Sequence, residues 1–430
     1  MLHNVRLPVA CKAAGLFLCM LFGSSICGCA AQPPSGETAS QSTAVQTESS
    51  SSAPSQTETS SHPDAASSQP ASQSDTAKED IDQQTDTDKT DPFLQQLLDS
   101  MSLEEKVGQM FIVRCPQQNA ADIAQQYHLG GYILFARDFE SNDPQLVTGN
   151  IQQYQEVSDI PMLIGVDEEG GTVNRVSKYS AFRETPFQSP QALYDLGGLE
   201  LIESDTIEKS QLLLSLGINV NFAPVCDVST DPADFIYTRA FGGDAVQTAE
   251  YVKTVVCAMK QEGIGSVLKH FPGYGNNLDT HTGIAYDDRS FDTFADSDFI
   301  PFQAGIDAGA DIVLVSHNIV NCMDSENPAS LSENVHQILR NRLGFDGVIV
   351  TDDLSMDGIR DFTDDQQAAV LAVQAGNDLI CCTDYQTQIP AVIQAANSGE
   401  ISEEIIDQAV LRILKMKQSL GLLETDSENN

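Results

Sequence analysis

Short apolar runs and longer amphipathic stretches alternate along most of the chain. Continuous apolar runs, without the polar alternation of a half-exposed strand, are typical of parallel strands that are buried on both faces. The amphipathic stretches between them, among them Ala245–Glu262, Asn334–Leu343 and Thr363–Ala375, have the spacing of helices. The predicted strands are Gly108–Val113, Tyr132–Phe135, Met162–Val166, Asn219–Ala223, Ser266–Leu268, Ile312–Val315, Val348–Val350 and Asp378–Cys381.

The eight strand–helix repeats predict the fold class, which is α/β. Eight such units in about 330 residues predict a (β/α)8 barrel of the TIM type, as a single domain over residues 93–424 with a tail at 425–430. A doubly wound open sheet is the alternative. Neither G-x-G-x-x-G after a strand nor the phosphate-binding G-x-x-x-x-G-K-[ST] occurs, so nucleotide-binding folds lose their usual support.

The first 29 residues have the pattern of a bacterial lipoprotein signal peptide. Arg6 and Lys12 precede the apolar run Ala13–Phe22, which is too short for a transmembrane helix and typical of a signal-peptide core. The following Ile26-Cys27-Gly28-Cys29 resembles a lipobox, which implies that Cys29 is lipidated and becomes the mature N-terminus. We therefore expect an extracytoplasmic protein that a lipid anchor holds at the bacterial cell membrane. An ordinary cleaved signal with incidental cysteines is the alternative.

Residues 30–92 are predicted to form a disordered linker between the anchor and the folded domain. Ser, Thr and Gln account for 31 of these 63 residues, and none of the 63 is aromatic. Such a segment cannot bury enough apolar surface to offset the entropy that is lost on ordering. We expect it to hold the domain away from the membrane, with a root-mean-square reach of roughly 45 Å.

Composition and charge limit the classes of partner. The formal net charge is −40 and the sequence pI is about 4.1, so the basic surface that nucleic acid requires is missing, and no nucleic-acid partner is expected. The 41% of hydrophobic residues is enough for a sizeable core. The spacing of the cysteines beyond the signal peptide matches no zinc ribbon or small disulfide scaffold, so we expect mostly buried free thiols. These residues are Cys115, Cys226, Cys257, Cys322, Cys381 and Cys382.

Polar residues end several of the predicted strands. Asp167 ends the third strand, Lys269 and His270 end the fifth, and His317 and Asp352 end the sixth and seventh. A single polar residue in such a position is usually a cap or a turn former, but that explanation does not suit four strands of one chain. Because the C-terminal ends of barrel strands converge on one mouth, the pattern predicts a binding or catalytic site there.

Several specific motifs occur in order between Asp99 and Leu423. The most specific is Lys269-His270-Phe271-Pro272-Gly273-Tyr274-Gly275, which is followed by Asp279-Thr280-His281. The others are Met101–Met110, Val166–Gly171 with Arg175, Arg239–Gly242 and Val350–Met356. Together they resemble glycoside hydrolase family 3, and more narrowly its bacterial β-N-acetylglucosaminidases. The resemblance covers nearly the whole predicted domain and agrees with the predicted barrel.

The resemblance implies a retaining glycosidase. In such an enzyme a carboxylate attacks the anomeric carbon, and a second group first donates and then accepts a proton. The family pattern assigns the nucleophile to Asp352, the first acid of the pair Asp352-Asp353. In this branch the acid/base is a histidine on a loop, which corresponds to His281, and the aspartate two residues earlier is Asp279. A carboxylate beside a histidine fixes its tautomer and stabilises the imidazolium.

The same resemblance implies sugar-binding roles for six residues. Asp167 would accept hydrogen bonds from sugar hydroxyls, and the basic side chains would donate to hydroxyls and to the acetamido oxygen. His317 is a candidate for the pocket wall, with a role in the core as the alternative. No cofactor and no metal is expected. The predicted binding residues are Asp167, Arg175, Arg239, Lys269, His270 and His317.

Three departures from the family pattern lie close to the predicted site. Tyr274 stands where the family usually has histidine, and Glu168 replaces a usual glutamine, which we expect to add a charge near the sugar. The loop Gly275–Asp279 is one residue shorter than in many relatives. These differences concern loop geometry and substrate more than the class of reaction.

The predicted function is that of a retaining exo-β-N-acetylglucosaminidase, a monomer that hydrolyses terminal β-linked N-acetylglucosamine from cell-wall fragments or other glycans. A β-N-acetylglucosaminide phosphorylase or a β-glucosidase of the same family is the alternative, because a neutral acid/base leaves room for phosphate in place of water. A non-catalytic sugar-binding lipoprotein is the alternative from another class. The presence of both Asp352 and His281 argues against that last possibility.

Overall fold

The computed structural model describes residues 91–277 and 279–423, and of His281 it describes only the backbone. The predicted signal peptide with Cys29 and the predicted tail therefore lie outside the described residues, as does the predicted linker up to residue 90. None of the helices in the described part of the chain is both long and apolar enough to cross a membrane.

The centre of the fold is a parallel sheet that curves into a barrel. The strands in the described residues are β1 (Phe111–Arg114), β2 (Gly131–Leu134), β3 (Leu163–Val166), β4 (Glu168–Gly170), β5 (Val173–Asn174), β6 (Val220–Asn221), β7 (Gly265–Phe271), β8 (Tyr286–Asp287), β9 (Ile312–Val315), β10 (Ile319–Val320), β11 (Val348–Thr351) and β12 (Ile380–Cys382). Eight of them pair in the order β11, β9, β7, β6, β3, β2, β1, β12. The backbone N–H of Leu379 donates to Ile349 O at 3.0 Å, and that of Thr351 donates to Leu379 O at 3.2 Å. These bonds bring the two ends of the sheet together, so the predicted eight-stranded barrel is confirmed.

Helices connect the strands. In the described residues they are α1 (Pro92–Ser100), α2 (Leu103–Gln109), α3 (Ala120–Tyr127), α4 (Pro144–Glu156), α5 (Pro190–Ser215), α6 (Ala245–Glu262), α7 (Phe291–Thr293), α8 (Phe299–Asp307), α9 (Glu333–Gln337), α10 (Asp357–Arg360), α11 (Asp365–Ala375), α12 (Tyr385–Ser398) and α13 (Glu403–Ser419). Helix α6 has the predicted bounds, because Asp244 and Gln247 form a capping box at its start and Gly263 ends it with φ 77°. The helix predicted over Asn334–Leu343 is divided into α9 and the π-helical turn Ile338–Arg342.

Each predicted strand overlaps a strand of the barrel, and the shifts have local causes. The first strand begins at Phe111 rather than at Gly108, because Gly108 still belongs to α2. Strand β6 is short because Pro224, which has no backbone N–H to donate, follows it closely. Strand β7 is longer than predicted and continues through Lys269 and His270. Both residues are therefore strand residues that are held by the sheet.

An apolar surface closes the barrel below its C-terminal mouth. A Cβ atom on Gly165 would lie 2.5 Å from the ring of Phe222, so the glycine in β3 is what admits this ring to the interior. Phe222, Ile133 and Leu314 all contribute to the lining of a cavity at the C-terminal strand ends. The polar residues that follow the strands consequently surround a cavity with a partly apolar lining.

The six cysteines in the described part of the chain are free thiols, and Cys115, Cys226, Cys381 and Cys382 are buried, as predicted for most of them. Burial raises the pKa of the Cys115 thiol to about 12 and the pKa values of the other three well above their ordinary range. Because the thiolate is the reactive form, these four side chains are expected to act as small apolar residues of the core.

Candidate active site

A cavity of about 410 Å³ opens at the C-terminal ends of the barrel strands. Among its lining residues are most of the predicted site residues: Asp167, Arg175, Arg239, Lys269, His270 and Asp352. Arg114 and Phe135, which the sequence analysis did not single out, also contribute to the lining. The structure thus brings together side chains at the C-terminal ends of five barrel strands, namely β1, β2, β3, β7 and β11.

Lys269 is the centre of an ion network at one side of this cavity. Its ammonium Nζ lies 2.8 Å from Asp167 Oδ1 and 2.6 Å from Glu169 Oε1, and the residue is only 2% exposed. Arg175 Nη2 lies 3.8 Å from the other oxygen of Asp167. A buried cation needs such counter-charges, because the loss of its hydration is otherwise uncompensated.

Glu169 joins two of the cations. Its carboxylate accepts a bidentate pair of hydrogen bonds from Arg239, at 3.0 Å from Nε and 2.7 Å from Nη2. Burial alone would raise the pKa of Glu169, but the charges of Lys269 and Arg239 outweigh burial and hold it far below its usual range. The carboxylate is therefore ionised across the physiological range of pH, and it fixes the guanidinium plane of Arg239.

His270 is held between a carboxylate and a guanidinium. Its Nδ1 lies 2.7 Å from Asp227 Oδ2, and its Nε2 lies 3.1 Å from Arg239 Nη2. A guanidinium can only donate, so Nε2 accepts and the ring proton resides on Nδ1, where it is donated to Asp227. Asp227 is buried and also accepts from the backbone N–H of Tyr274 at 2.7 Å. The ring orientation of His270 is thus determined at both nitrogens.

The two acids after β11 have different surroundings, although both contribute to the lining of the cavity. Asp352 Oδ1 accepts from the backbone N–H of Asp353 at 2.8 Å. Asp353 accepts at both of its oxygens, from Ser355 N at 2.9 Å and from Thr383 Oγ1 at 2.9 Å. The carboxylate of Asp353 therefore ties the segment after β11 to the loop after β12.

His317 lies beneath these acids and is fully buried. Its Nε2 is 3.0 Å from the carbonyl oxygen of Asp353, and its Nδ1 is 2.8 Å from Ser330 Oγ. A carbonyl only accepts, so Nε2 donates and the ring supports the backbone that carries Asp352 and Asp353. Among the described residues that line the cavity, His317 does not occur. Its contact with a sugar stays a prediction.

Residues 102–416 match the N-terminal domain of glycosyl hydrolase family 3. The chain belongs to glycosyl hydrolase family 3. Over 257 residues it is 36% identical to a β-hexosaminidase of Methylobacillus flagellatus, which covers 59% of this chain and 72% of that protein. The structure of a family 3 β-N-acetylglucosaminidase from Paenibacillus sp. str. FPU-7 is 32% identical, with a TM-score of 0.70 over 77% of this chain and 66% of that chain. The structure of the β-glucoside phosphorylase BglX bound to 2FGlc is 25% identical, with a TM-score of 0.67 over 78% of this chain and 62% of that chain.

Two departures from the usual family 3 pattern have structural roles in this chain. Glu168 is fully buried, and its side chain accepts from the backbone N–H groups of Arg175 (2.8 Å), Val176 (2.7 Å) and Ser177 (3.1 Å). It is absent from the lining of the cavity, so its charge organises the segment of Arg175 and does not face the cavity. The hydroxyl of Tyr274 lies 2.5 Å from Thr280 Oγ1, which links the barrel end to the loop of the predicted acid/base.

The loop that carries the predicted acid/base is anchored at its base by Arg289. This guanidinium donates to Gly273 O (2.8 Å), Asp298 (2.9 Å) and Asp287 (2.7 Å). Burial raises the pKa of Asp298 to about 6, even though Arg289 acts in the opposite direction. Gly273 has φ 124°, and a Cβ there would lie 2.3 Å from Asp298 Oδ1, so the close approach requires glycine.

Asp279 and His281 lie beyond this anchored base of the loop. Asp279 precedes the 3-10 turn Thr280–Thr282, and its carbonyl accepts from Thr282 N at 3.1 Å. The side chain of His281 lies outside the described residues, so the predicted pairing of Asp279 with His281 stays a prediction.

Sequence reasoning missed two carboxylates that hold the basic residues of the candidate site. Glu169 pairs with Lys269 and Arg239, and Asp227 orients His270. A usable signal was present in the sequence, since Lys269 and His270 end a predicted buried strand, and buried basic side chains need more counter-charge than Asp167 alone supplies. Which nearby acids supply it depends on the closure of the barrel.

Proposed function

We propose that this family 3 chain is a retaining exo-β-N-acetylglucosaminidase, which removes terminal β-linked N-acetylglucosamine through a covalent glycosyl-enzyme intermediate. The observation that carries the proposal is that Asp352 lines the same cavity as Lys269 and Arg239, the two cations of the ion network. A nucleophilic carboxylate beside a fixed set of sugar-binding donors is what this reaction needs. The β-hexosaminidase and β-N-acetylglucosaminidase named among the relatives support the choice of sugar.

The proposed reaction has two steps. In the first, a carboxylate oxygen of Asp352 bonds to the anomeric carbon while the bond to the leaving oxygen breaks, and the imidazolium of His281 gives that oxygen its proton. Asp279 stabilises the imidazolium and orients the ring. In the second step, neutral His281 takes a proton from water, whose oxygen displaces Asp352 and restores the original anomeric configuration.

The donors left over in the ion network are proposed to bind the sugar. Lys269 has three N–H donors, and Asp167 and Glu169 use two of them. Arg239 donates through Nε and Nη2 to Glu169 and through Nη2 to His270, and within the described residues its Nη1 makes no hydrogen bond. Because both ring nitrogens of His270 are engaged, its role in this proposal is to position Arg239.

A membrane-anchored location and a cell-wall substrate are further parts of the proposal. They rest on the signal-peptide pattern that ends at Cys29 and on the polar linker that follows it. Such an anchor would hold the domain next to fragments of the cell wall. Metabolic labelling with a palmitate analogue tests the anchor, since Cys29→Ala should abolish both the label and the membrane association.

A panel of chromogenic β-glycosides tests the proposed activity. Cleavage of the N-acetylglucosaminide should exceed that of the glucoside and the xyloside, and the rate should not require phosphate. Dependence on inorganic phosphate, with release of a sugar phosphate, would favour the phosphorylase reaction of the similar BglX structure. Failure of all substrates to turn over would favour a sugar-binding role.

The nucleophile is tested by Asp352→Asn with Asp353→Asn as the matched control. Asp352→Asn should lower turnover by about three orders of magnitude or more, because the covalent route is lost. A slow fluorinated substrate should leave a glycosyl adduct on the peptide that holds Asp352, detected by mass spectrometry. An adduct on Asp353 would overturn the assignment.

The acid/base is tested by the dependence of rate on the leaving group. His281→Ala should slow glycosides with poor leaving groups by roughly 10²–10⁴-fold, because they need the proton in the transition state. Glycosides with very acidic leaving groups should be slowed much less in the first step. If the slope of log rate against leaving-group pKa is the same in His281→Ala as in the unaltered protein, the proton comes from another residue.

A further inference from the structure

Three metal-ligating side chains meet at the end of the barrel opposite to the active site. Glu105 lies on α2 before β1, His128 follows α3 before β2, and Asp159 lies between α4 and β3. One ligand atom of each residue lies within 4.8 Å of the ligand atoms of the other two. All three line a cavity of about 160 Å³, which shares no lining residue with the cavity at the mouth.

The backbone around two of these three side chains is held in place independently of any ligand. Ser102 N donates to Glu105 Oε2 at 2.7 Å in the capping box of α2, which leaves Oε1 as the ligand atom. His128 ends α3 with φ 50°, and its carbonyl oxygen accepts from Gln109 Nε2 at 2.9 Å. The backbone that presents Glu105 and His128 is therefore fixed by hydrogen bonds at α2 and at the end of α3.

The ligand atoms themselves are available. Across residues 91–277 and 279–423, neither ring nitrogen of His128 and neither carboxylate oxygen of Asp159 takes part in a hydrogen bond. Asp159 is exposed and can rotate. Ligands of a tetrahedral Zn²⁺ lie about 3.4 Å apart, and the three ligand atoms lie within 4.8 Å of one another. Small side-chain rotations, which exposure permits at Asp159, therefore bring the set to that spacing.

We propose that Glu105, His128 and Asp159 form a Zn²⁺ site. One imidazole with two carboxylates suits Zn²⁺, whereas Mg²⁺ and Ca²⁺ prefer sites made of oxygen alone. The two carboxylates also match the charge of the ion, and water from the open cavity completes a tetrahedron. The ion would join α2, the end of α3 and the α4–β3 connection, so the site stabilises the closed end of the barrel and takes no part in glycoside cleavage.

Isothermal titration of the full chain with Zn²⁺, after removal of metal by a chelator, tests the site. Other histidines and the exposed Cys322 can also bind zinc, so total zinc binding does not test the proposal. The test is whether one binding site is lost when a proposed ligand is substituted. His128→Asn and Asp159→Asn should each weaken one site at least tenfold, because each removes a first ligand. Asparagine tolerates the left-handed backbone of position 128, and position 159 is exposed, so both variants should fold.

Glu104→Gln is the control, because it removes one carboxylate charge, as Asp159→Asn does, at the residue next to Glu105 on α2 but outside the cluster. Its titration should match that of the unaltered chain. Zn²⁺ should raise the thermal midpoint of the unaltered chain and of Glu104→Gln, and Mg²⁺ at the same concentration should not. Identical zinc titrations for His128→Asn, Asp159→Asn and the unaltered chain would overturn the proposal, as would the absence of any zinc binding.

Discussion

Two buried lysines at opposite ends of the barrel show how differently one residue type can be accommodated. Lys269, at the mouth, lies between two carboxylates, with Asp167 at 2.8 Å and Glu169 at 2.6 Å. Lys417, on α13 at the other end, donates to one neutral oxygen, Gln109 Oε1, at 2.6 Å. Burial without a counter-charge lowers the pKa of Lys417 to about 7.

The two lysines differ in whether the fold favours the positive charge or its loss. At the mouth, the two carboxylates favour the charged form of Lys269 beside the cavity and fix the position of its ammonium group. At the other end, burial without a counter-charge disfavours the ammonium form, so Lys417 loses its proton more easily in the folded protein than in water. The same substitution at the two positions should therefore have different consequences for activity and for pH dependence.

Among the variants that test this contrast between the lysines, the largest effect should come from Lys269→Met. The loss of this ammonium leaves Asp167 and Glu169 without their shared counter-charge beside the cavity, so kcat/KM should fall by roughly 10²–10³-fold. The fold itself should lose about 3–5 kcal/mol of stability. Steady-state kinetics on a chromogenic β-N-acetylglucosaminide measures the fall in kcat/KM, and circular dichroism checks the fold. Lys417→Met is the matched control, and its kcat/KM should remain within a few-fold of the unaltered value. Equal losses in both variants would mean that the mouth network has no special role.

A smaller effect should come from Glu169→Gln, which removes the counter-charge and keeps the shape. Hydrogen bonds to charged groups contribute about 1.5–3 kcal/mol, so kcat/KM should fall by roughly 10–10²-fold. The control is Glu168→Gln, because Glu168 is a neighbouring buried carboxylate that accepts from the backbone N–H groups of Arg175, Val176 and Ser177 and, among the described residues, forms no ion pair with Lys269 or Arg239. That control should lower the thermal midpoint and leave kcat/KM less affected. A larger fall of kcat/KM in Glu168→Gln than in Glu169→Gln would contradict the assignment of Glu169 to the site.

The contrast between the lysines also shows what sequence reasoning could predict. The eight strands were predictable because each is a local apolar run, and Asp167, Lys269 and Asp352 because polar residues follow such runs. The hydrogen bond of Lys417 joins residues 308 positions apart, and that of His270 to Asp227 joins residues 43 apart. No local pattern encodes such pairings, since they depend on how the barrel closes. The same reason explains His317, whose strand-end position was predictable but whose hydrogen-bond partners were not.

The smallest effect should be seen in the pH dependence of stability, through Lys417→Met. Between its folded pKa of about 7 and its unfolded value of about 10.4, Lys417 holds a proton only in the unfolded state. The free energy of unfolding therefore rises with pH in this window, by up to about 1.4 kcal/mol per pH unit, and the contribution is lost as pH falls towards 7. Urea unfolding can be measured at several pH values between 7 and 8, below the titration of most thiols. The slope of the unfolding free energy against pH should be smaller in Lys417→Met than in the unaltered chain.

Gln109→Glu is the mirror of that experiment, because it gives Lys417 the kind of counter-charge that Glu169 gives Lys269. A carboxylate next to the ammonium should raise the pKa of Lys417 towards its ordinary value, so that both folded and unfolded states hold the proton at pH 7–8. The slope should then flatten as it does in Lys417→Met, although the lysine is still present. Gln109 Nε2 also donates to His128 O at 2.9 Å, so the comparison uses the slope rather than the absolute stability. If the slope is unchanged in both variants, Lys417 keeps its proton in the fold and the two lysines are more alike than their surroundings indicate.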